Sequence, residues 1–94
     1  MKVGRFSHKA LKQFYEEGRV KGLPSDAVSK LRAIFAVLDR VKDVEELRLW
    51  PLWKVHVLTG GRKGTWSLHV TRNWRLTFRV EANEIFDVNL EDYH

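Results

Sequence analysis

Apolar positions recur along this chain at two different periods. In the first half they fall at helical spacing: Leu11, Phe14 and Tyr15 sit at i, i+3 and i+4, and Val28, Leu31, Ile34, Phe35, Leu38 and Val41 form a longer stripe. The first set predicts a short amphipathic helix from about Lys9 to Glu17, with Gly18 as its left-handed stop. The second predicts a helix opening after Pro24-Ser25, with Ser25 as N-cap. Ahead of both, Val3 to Phe6 fits an edge strand. After them, Asp43 is placed to cap a single turn that Pro51 ends.

From Trp53 onward the period is two. Trp53, Val55 and Val57 alternate with Lys54, His56 and Leu58; Trp66, Leu68 and Val70 alternate with Ser67, His69 and Thr71. Trp74, Leu76, Phe78 and Val80 then alternate with Arg75, Thr77 and Arg79, and Phe86, Val88 and Leu90 with Asp87 and Asn89. Strands with one apolar face need that face covered. The expected fold is therefore α+β: two N-terminal helices packed on one face of a mostly antiparallel four- to five-stranded sheet.

Parity also predicts a register, because directly opposed residues share a face. A two-residue Arg72-Asn73 turn pairing Thr71 with Trp74 sets polar against apolar. A three-residue loop, Thr71-Arg72-Asn73, pairs Val70 with Trp74 and Leu68 with Leu76, and asks Asn73 to be left-handed. The opposite face then pairs His69 with Arg75 and Ser67 with Thr77. Thr59 to Gly64 reads as a flexible basic hairpin loop; its Lys63 is followed by Gly, not Ser or Thr, so it is no phosphate-binding loop of the familiar kind.

Composition narrows the class. Ninety-four residues suit one domain, 1–94, burying roughly two-thirds of its unfolded surface. Hydrophobic residues make up 44% and charged ones 31%, a globular balance. The longest apolar run, Ala33 to Leu38, falls far short of the ~20 residues of a membrane span, and no signal-peptide pattern opens the chain. With no cysteine there is no disulfide framework or thiol nucleophile, and a cytoplasmic location is expected. The net charge of +5 hides a split: residues 1–80 hold all 17 Lys and Arg, and the last fourteen hold five acids and no base. A cationic body favours a polyanionic partner such as nucleic acid. Lys30, Arg32 and Arg40, off the helical stripe, read as a solvated face.

If helices cover the Trp-rich face, the other presents Lys54, His56, Ser67, His69, Arg75, Thr77 and Arg79, a cationic floor with two imidazoles. The terminal Asp92-Tyr93-His94 follows the last strand and comes to its rim, with alternation aiming Tyr93 at the floor. RNA cleavage by the ribose 2′-OH needs a base, an acid and cations for the phosphoryl oxygens, and these residue types supply all three. Trp53, Trp66 and Trp74 share the core parity; Trp50 is left open. A metal site from His56, His69, His94 and Asp92 lacks a short-range ligand pair, so neither metal nor cofactor is expected. The rival reading is a module that binds RNA or a protein without cutting.

Val55-His56-Val57-Leu58, Lys63-Gly64-Thr65-Trp66-Ser67, Asn73-Trp74-Arg75-Leu76-Thr77-Phe78 and Glu91-Asp92-Tyr93-His94, in this order, resemble HigB-type toxins of the RelE superfamily. Phe6 to Leu11 and Lys30-Leu31-Arg32 extend the resemblance over nearly the whole chain. It implies a RelE-like ribonuclease fold and a type II toxin that cuts mRNA in the decoding site of the small ribosomal subunit, neutralised by a helix-turn-helix antitoxin of HigA type. It also implies catalytic roles for His56, Asp92, Tyr93 and His94, with Arg75 stabilising the phosphoryl charge. Lys54, Arg62, Lys63, Arg72 and Arg79 are the candidate RNA-binding cations. Thr59 stands where the family carries a lysine, a role that Lys54, Arg62 or Lys63 is available to fill.

Overall fold

A computed structural model describes residues 1–93. Its elements are β1 (Lys2–Val3), α1 (Lys9–Glu17), α2 (Val28–Arg40), β2 (His56–Val57), β3 (Trp66–His69), β4 (Trp74–Glu81) and β5 (Glu84–Asp92), with 3-10 turns between. The sheet order is β1-β5-β4-β3-β2; β1 runs parallel to β5 and every other neighbour is antiparallel. The α+β expectation holds, with five strands.

Helix α1 has the expected bounds, and Gly18 ends it at φ 74. Its N-cap is His8, whose Nδ1 accepts from the Leu11 amide at 3.1 Å. Ser25 does not cap α2. It begins a 3-10 turn, Ser25–Ala27, that leads into the helix with no side-chain cap. At the far end of α2 the Met1 ammonium donates to the carbonyls of Leu38 and Val41, a cation where the helix dipole is negative. Asp43 and Glu46 form a reciprocal capping box on the 3-10 turn Val44–Leu49. Pro51 does not end this turn; Trp50 does, and Pro51 opens the next one, Pro51–Trp53.

The core joins the two periods. Leu11, Phe14, Leu31, Ile34, Phe35 and Leu38 from the helices form one buried cluster with Trp66, Leu68, Leu76, Phe78, Ile85, Val88 and Leu90. Trp53 and Trp74 pack against it half-buried, and the Arg48 guanidinium covers Trp66 at 5.2 Å. The Tyr15 hydroxyl donates to Asp39 at 2.6 Å, tying α1 to α2; burial and this bond push its pKa up to about 12.

Three parity expectations change, each for a local reason. The 71–74 turn keeps the expected pairs Leu68–Leu76, His69–Arg75 and Ser67–Thr77 without a left-handed Asn73. The Val70 and Thr71 amides both donate to the Trp74 carbonyl, at 3.0 and 3.1 Å, so two residues face one, and this bulge absorbs the parity mismatch of a two-residue turn. Trp53 does not belong to a strand: Lys54 is left-handed at φ 45, which confines β2 to His56–Val57. In β5, Asp87 at φ 52 marks a second irregularity, between the pairs Thr77–Asn89 and Arg79–Phe86. It sends Ile85 into the core in place of Phe86, whose ring lies 5.9 Å from the Arg5 guanidinium.

Candidate functional site

Register alone assembles the polar face. One row across the sheet is His56, Ser67, Thr77 and Asn89, and the next is His69, Arg75 and Glu91. His56 and His69 are thus diagonal neighbours, a relation that places residues roughly 7–8 Å apart. At the open end of the second row, Lys54, His69, Arg72 and Tyr93 line a concavity of about 450 Å³.

Tyr93 is held on this face by three contacts. Its amide donates to the Asn73 carbonyl at 3.0 Å, its hydroxyl lies 3.1 Å from His69 Nδ1, and the Arg75 guanidinium stands 5.6 Å from its ring centroid. Burial, followed by the charges of Lys54 and Lys30, lowers the pKa of His69 below that of an ordinary imidazole. Both effects favour the neutral ring of His69. His56 is exposed, and its Nδ1 lies 3.0 Å from the Lys54 carbonyl. A carbonyl only accepts, so Nδ1 carries the hydrogen and Nε2 keeps the lone pair of a neutral ring.

Glu91 organises the cations behind the concavity. Its carboxylate accepts a bidentate pair from Arg62 at 2.8 and 2.5 Å and the Thr77 hydroxyl, and lies 3.6 Å from Arg75. These hydrogen bonds, Arg62's first, hold its pKa below the usual carboxylate range against the opposing effect of burial. The Thr59–Gly64 loop is consequently ordered: Gly60–Arg62 forms a 3-10 turn and Arg62 reaches across to β5. Arg75 Nε and Ser67 Oγ are buried and meet no hydrogen-bond partner among the described residues.

The expected residues divide into groups. Lys54, Arg72 and Tyr93 converge on the concavity, with Arg75 against Tyr93 and His56 one row away. Arg62 and Arg79 line a separate polar cleft of about 280 Å³ with Thr77, Asn89 and Glu91, and Lys63 is exposed in the loop. Asp92 pairs with Trp74, on the parity of the apolar face, so it does not share the orientation of Tyr93. His94 lies outside the described residues. Glu91 was not singled out from sequence; its signal was an acid with the parity of the cationic floor. His69 belongs to that floor by sequence, and the structure adds its contact with Tyr93. Among the described residues no group of three His, Asp or Glu converges to hold a metal ion, and no helix is long and apolar enough to cross a membrane.

The family profile for the RelE-like toxin of type II toxin-antitoxin system HigB matches residues 4–94. Endoribonuclease HigB of Proteus vulgaris is 36% identical over 92 residues, spanning 98% of this chain and 99% of that protein. Among solved structures, the YoeB/ParE toxin from Agrobacterium tumefaciens has a TM-score of 0.63 at 18% identity, with both chains covered completely. The DinJ-YafQ toxin-antitoxin complex from E. coli contains a chain with a TM-score of 0.62 at 19% identity, covering 97% of this chain and 90% of that one. These two likenesses carry the fold, while the profile and the Proteus relative carry the family. With the profile spanning all but the first three residues, this chain belongs to the RelE-like HigB toxins of type II toxin-antitoxin systems.

Proposed function

We propose that this chain is a toxin that cleaves RNA endonucleolytically by metal-independent acid–base chemistry, acting on mRNA engaged with the ribosome. The carrying observation is the convergence of Lys54, His69, Arg72 and Tyr93 on one concavity, with the Arg75 guanidinium against Tyr93. Lys54 and Arg72 line that space and Arg75 stands against its Tyr93 wall, a field suited to a phosphodiester. Lys54 stands there, whereas Arg62 is bound by Glu91, so Lys54 is the best replacement for the lysine that Thr59 lacks.

In the proposed reaction His56 Nε2 takes the proton of the ribose 2′-OH. The oxygen attacks the adjacent phosphorus, the 5′-oxygen leaves with a proton from an acid, and the products are a 2′,3′-cyclic phosphate and a 5′-hydroxyl. Arg75 and Lys54 stabilise the charge on the non-bridging oxygens. Tyr93, steadied by His69, contacts the scissile nucleotide. His94 is the proposed acid and Asp92 its orienting partner, roles resting on the family resemblance. The proposed antitoxin is a helix-turn-helix protein.

In a translating extract the chain is expected to yield fragments ending in 2′,3′-cyclic phosphate, insensitive to chelator, and removal of residues 92–94 is expected to abolish them. Undiminished cutting after that truncation overturns the assignment. Tight RNA binding without products supports the binding-module reading instead.

A further inference from the structure

We propose that the pocket between the Pro51–Trp53 turn and the start of α2, lined by Ser29, Lys30, Ala33, Leu52, Trp53 and His69, is a subsite for the base of a nucleotide flanking the cut. The inference rests on the cleavage reading above. The pocket, about 250 Å³, neighbours the concavity, with His69 as a wall of both. Its origin is the left-handed Lys54, which closes the Pro51–Trp53 turn and keeps Leu52 and Trp53 out of the strand that starts at His56.

The walls match the chemistry of a base, which has apolar faces and polar edges. Trp53 stacks on Trp50, rings 5.2 Å apart and 10° from parallel, so this wall is braced by a second indole. Ser29, Lys30 and Ala33 share one face of α2 and offer a hydroxyl, a cation and a small apolar floor. Lys30 lines this pocket with His69, and Lys54 and Arg72 line the concavity that His69 also borders. Cations beside an aromatic pocket and a basic concavity are how single-stranded RNA is held. An antitoxin peptide gains nothing from these cations unless it is acidic.

Ala33→Leu fills the pocket from an exposed helical position that is not among the proposed catalytic residues. Cut positions are mapped by sequencing fragment ends on messages varied over all four nucleotides on each side of the cut. The unmodified chain is expected to prefer certain bases at one flanking position. Ala33→Leu is expected to lose roughly ten- to hundredfold in cutting at preferred sites, the scale of one base–aromatic stack, with other sites nearly unchanged and the same melting temperature. An unchanged cutting profile overturns the subsite. If the profile is unchanged but the antitoxin no longer neutralises the variant, the pocket belongs to the antitoxin and the inference is equally wrong. Absence of cutting by the unmodified chain overturns the cleavage reading first, and the subsite with it.

Discussion

Removing the Glu91 carboxylate separates what holds the site from what performs the chemistry. Glu91→Ala takes away the acceptor of the Thr77 hydroxyl, a group only 2% exposed, and a buried donor left unpaired costs about 1–3 kcal/mol. The Arg62 pair contributes less than its geometry suggests, because Arg62 is 46% exposed and water screens it; about 0–1 kcal/mol is appropriate. Arg75, 22% exposed and 3.6 Å away, loses its counter-charge, for on the order of 1 kcal/mol. The total is about 2–5 kcal/mol. At about 4–8 °C per kcal/mol for a domain of this size, the melting temperature falls by about 8–40 °C. Glu91→Gln keeps an acceptor for Thr77 and costs about 1–2 kcal/mol by the same reasoning. Thermal unfolding followed by circular dichroism at neutral pH compares the two. A loss below about 0.5 kcal/mol for Glu91→Ala would refute the proposed anchor, and equal losses for both variants would refute the weight given to the buried hydroxyl. The pH dependence adds a check. Because Glu91's folded pKa is depressed, its contribution is complete above the unfolded carboxyl value of about 4.3 and is lost as pH falls through the lower folded value.

His56→Ala is expected to reduce cutting by about 10²–10⁴-fold while leaving the melting temperature unchanged, since the ring is exposed; end-mapping and circular dichroism on one preparation test both. His69→Phe keeps an aromatic ring beside Tyr93 and removes the hydrogen bond. Since the folded pKa of His69 is lowered, the unmodified chain loses stability relative to this variant as pH falls from about 6.5 through the folded value; denaturant melts at pH 7 and 5 that keep the same difference contradict this. Ala82 and Asn83 form the β4–β5 turn at φ 49 and 66, and Ala82→Gly relieves a left-handed alanine, raising stability by about 0.5–1 kcal/mol in the same melts.

How far the sequence reveals this molecule depends on the range of the forces involved. Helix α1 and the Asp43 cap were legible because stop and cap signals are local, although the turn that Asp43 opens ends at Trp50 and not at Pro51. The pairing of β3 with β4 followed from parity, even though the turn achieves it by a bulge and not by a left-handed Asn73. What escaped were features where backbone conformation overrides alternation: Lys54, which delays the start of β2, and Asp87, which moves Phe86 out of the core. Both are non-glycine residues with positive φ, so composition gives no warning. The site divided similarly. Lys54, Arg75 and Tyr93 share a face by period-two counting, but the engagement of Arg62 by Glu91 spans 29 residues and depends on a loop folding back. His69 was in view as a floor residue, and only its contact with Tyr93 gives it a role.

The irregularity at Asp87 also divides β5 into two stretches whose side-chain phases are set independently. Ile85 and Phe86 take theirs from the Ala82-Asn83 hairpin and from β1, whereas Leu90, Glu91 and Asp92 take theirs from the upper half of β4. An uninterrupted ladder transmits a one-residue length change at the hairpin to every later position and inverts the faces of Glu91 and Tyr93. Here a residue is already out of step midway, so a compensating slip can be taken up at Asp87. A one-residue change in the length of the hairpin is thereby expected to leave the orientation of Tyr93 as it is.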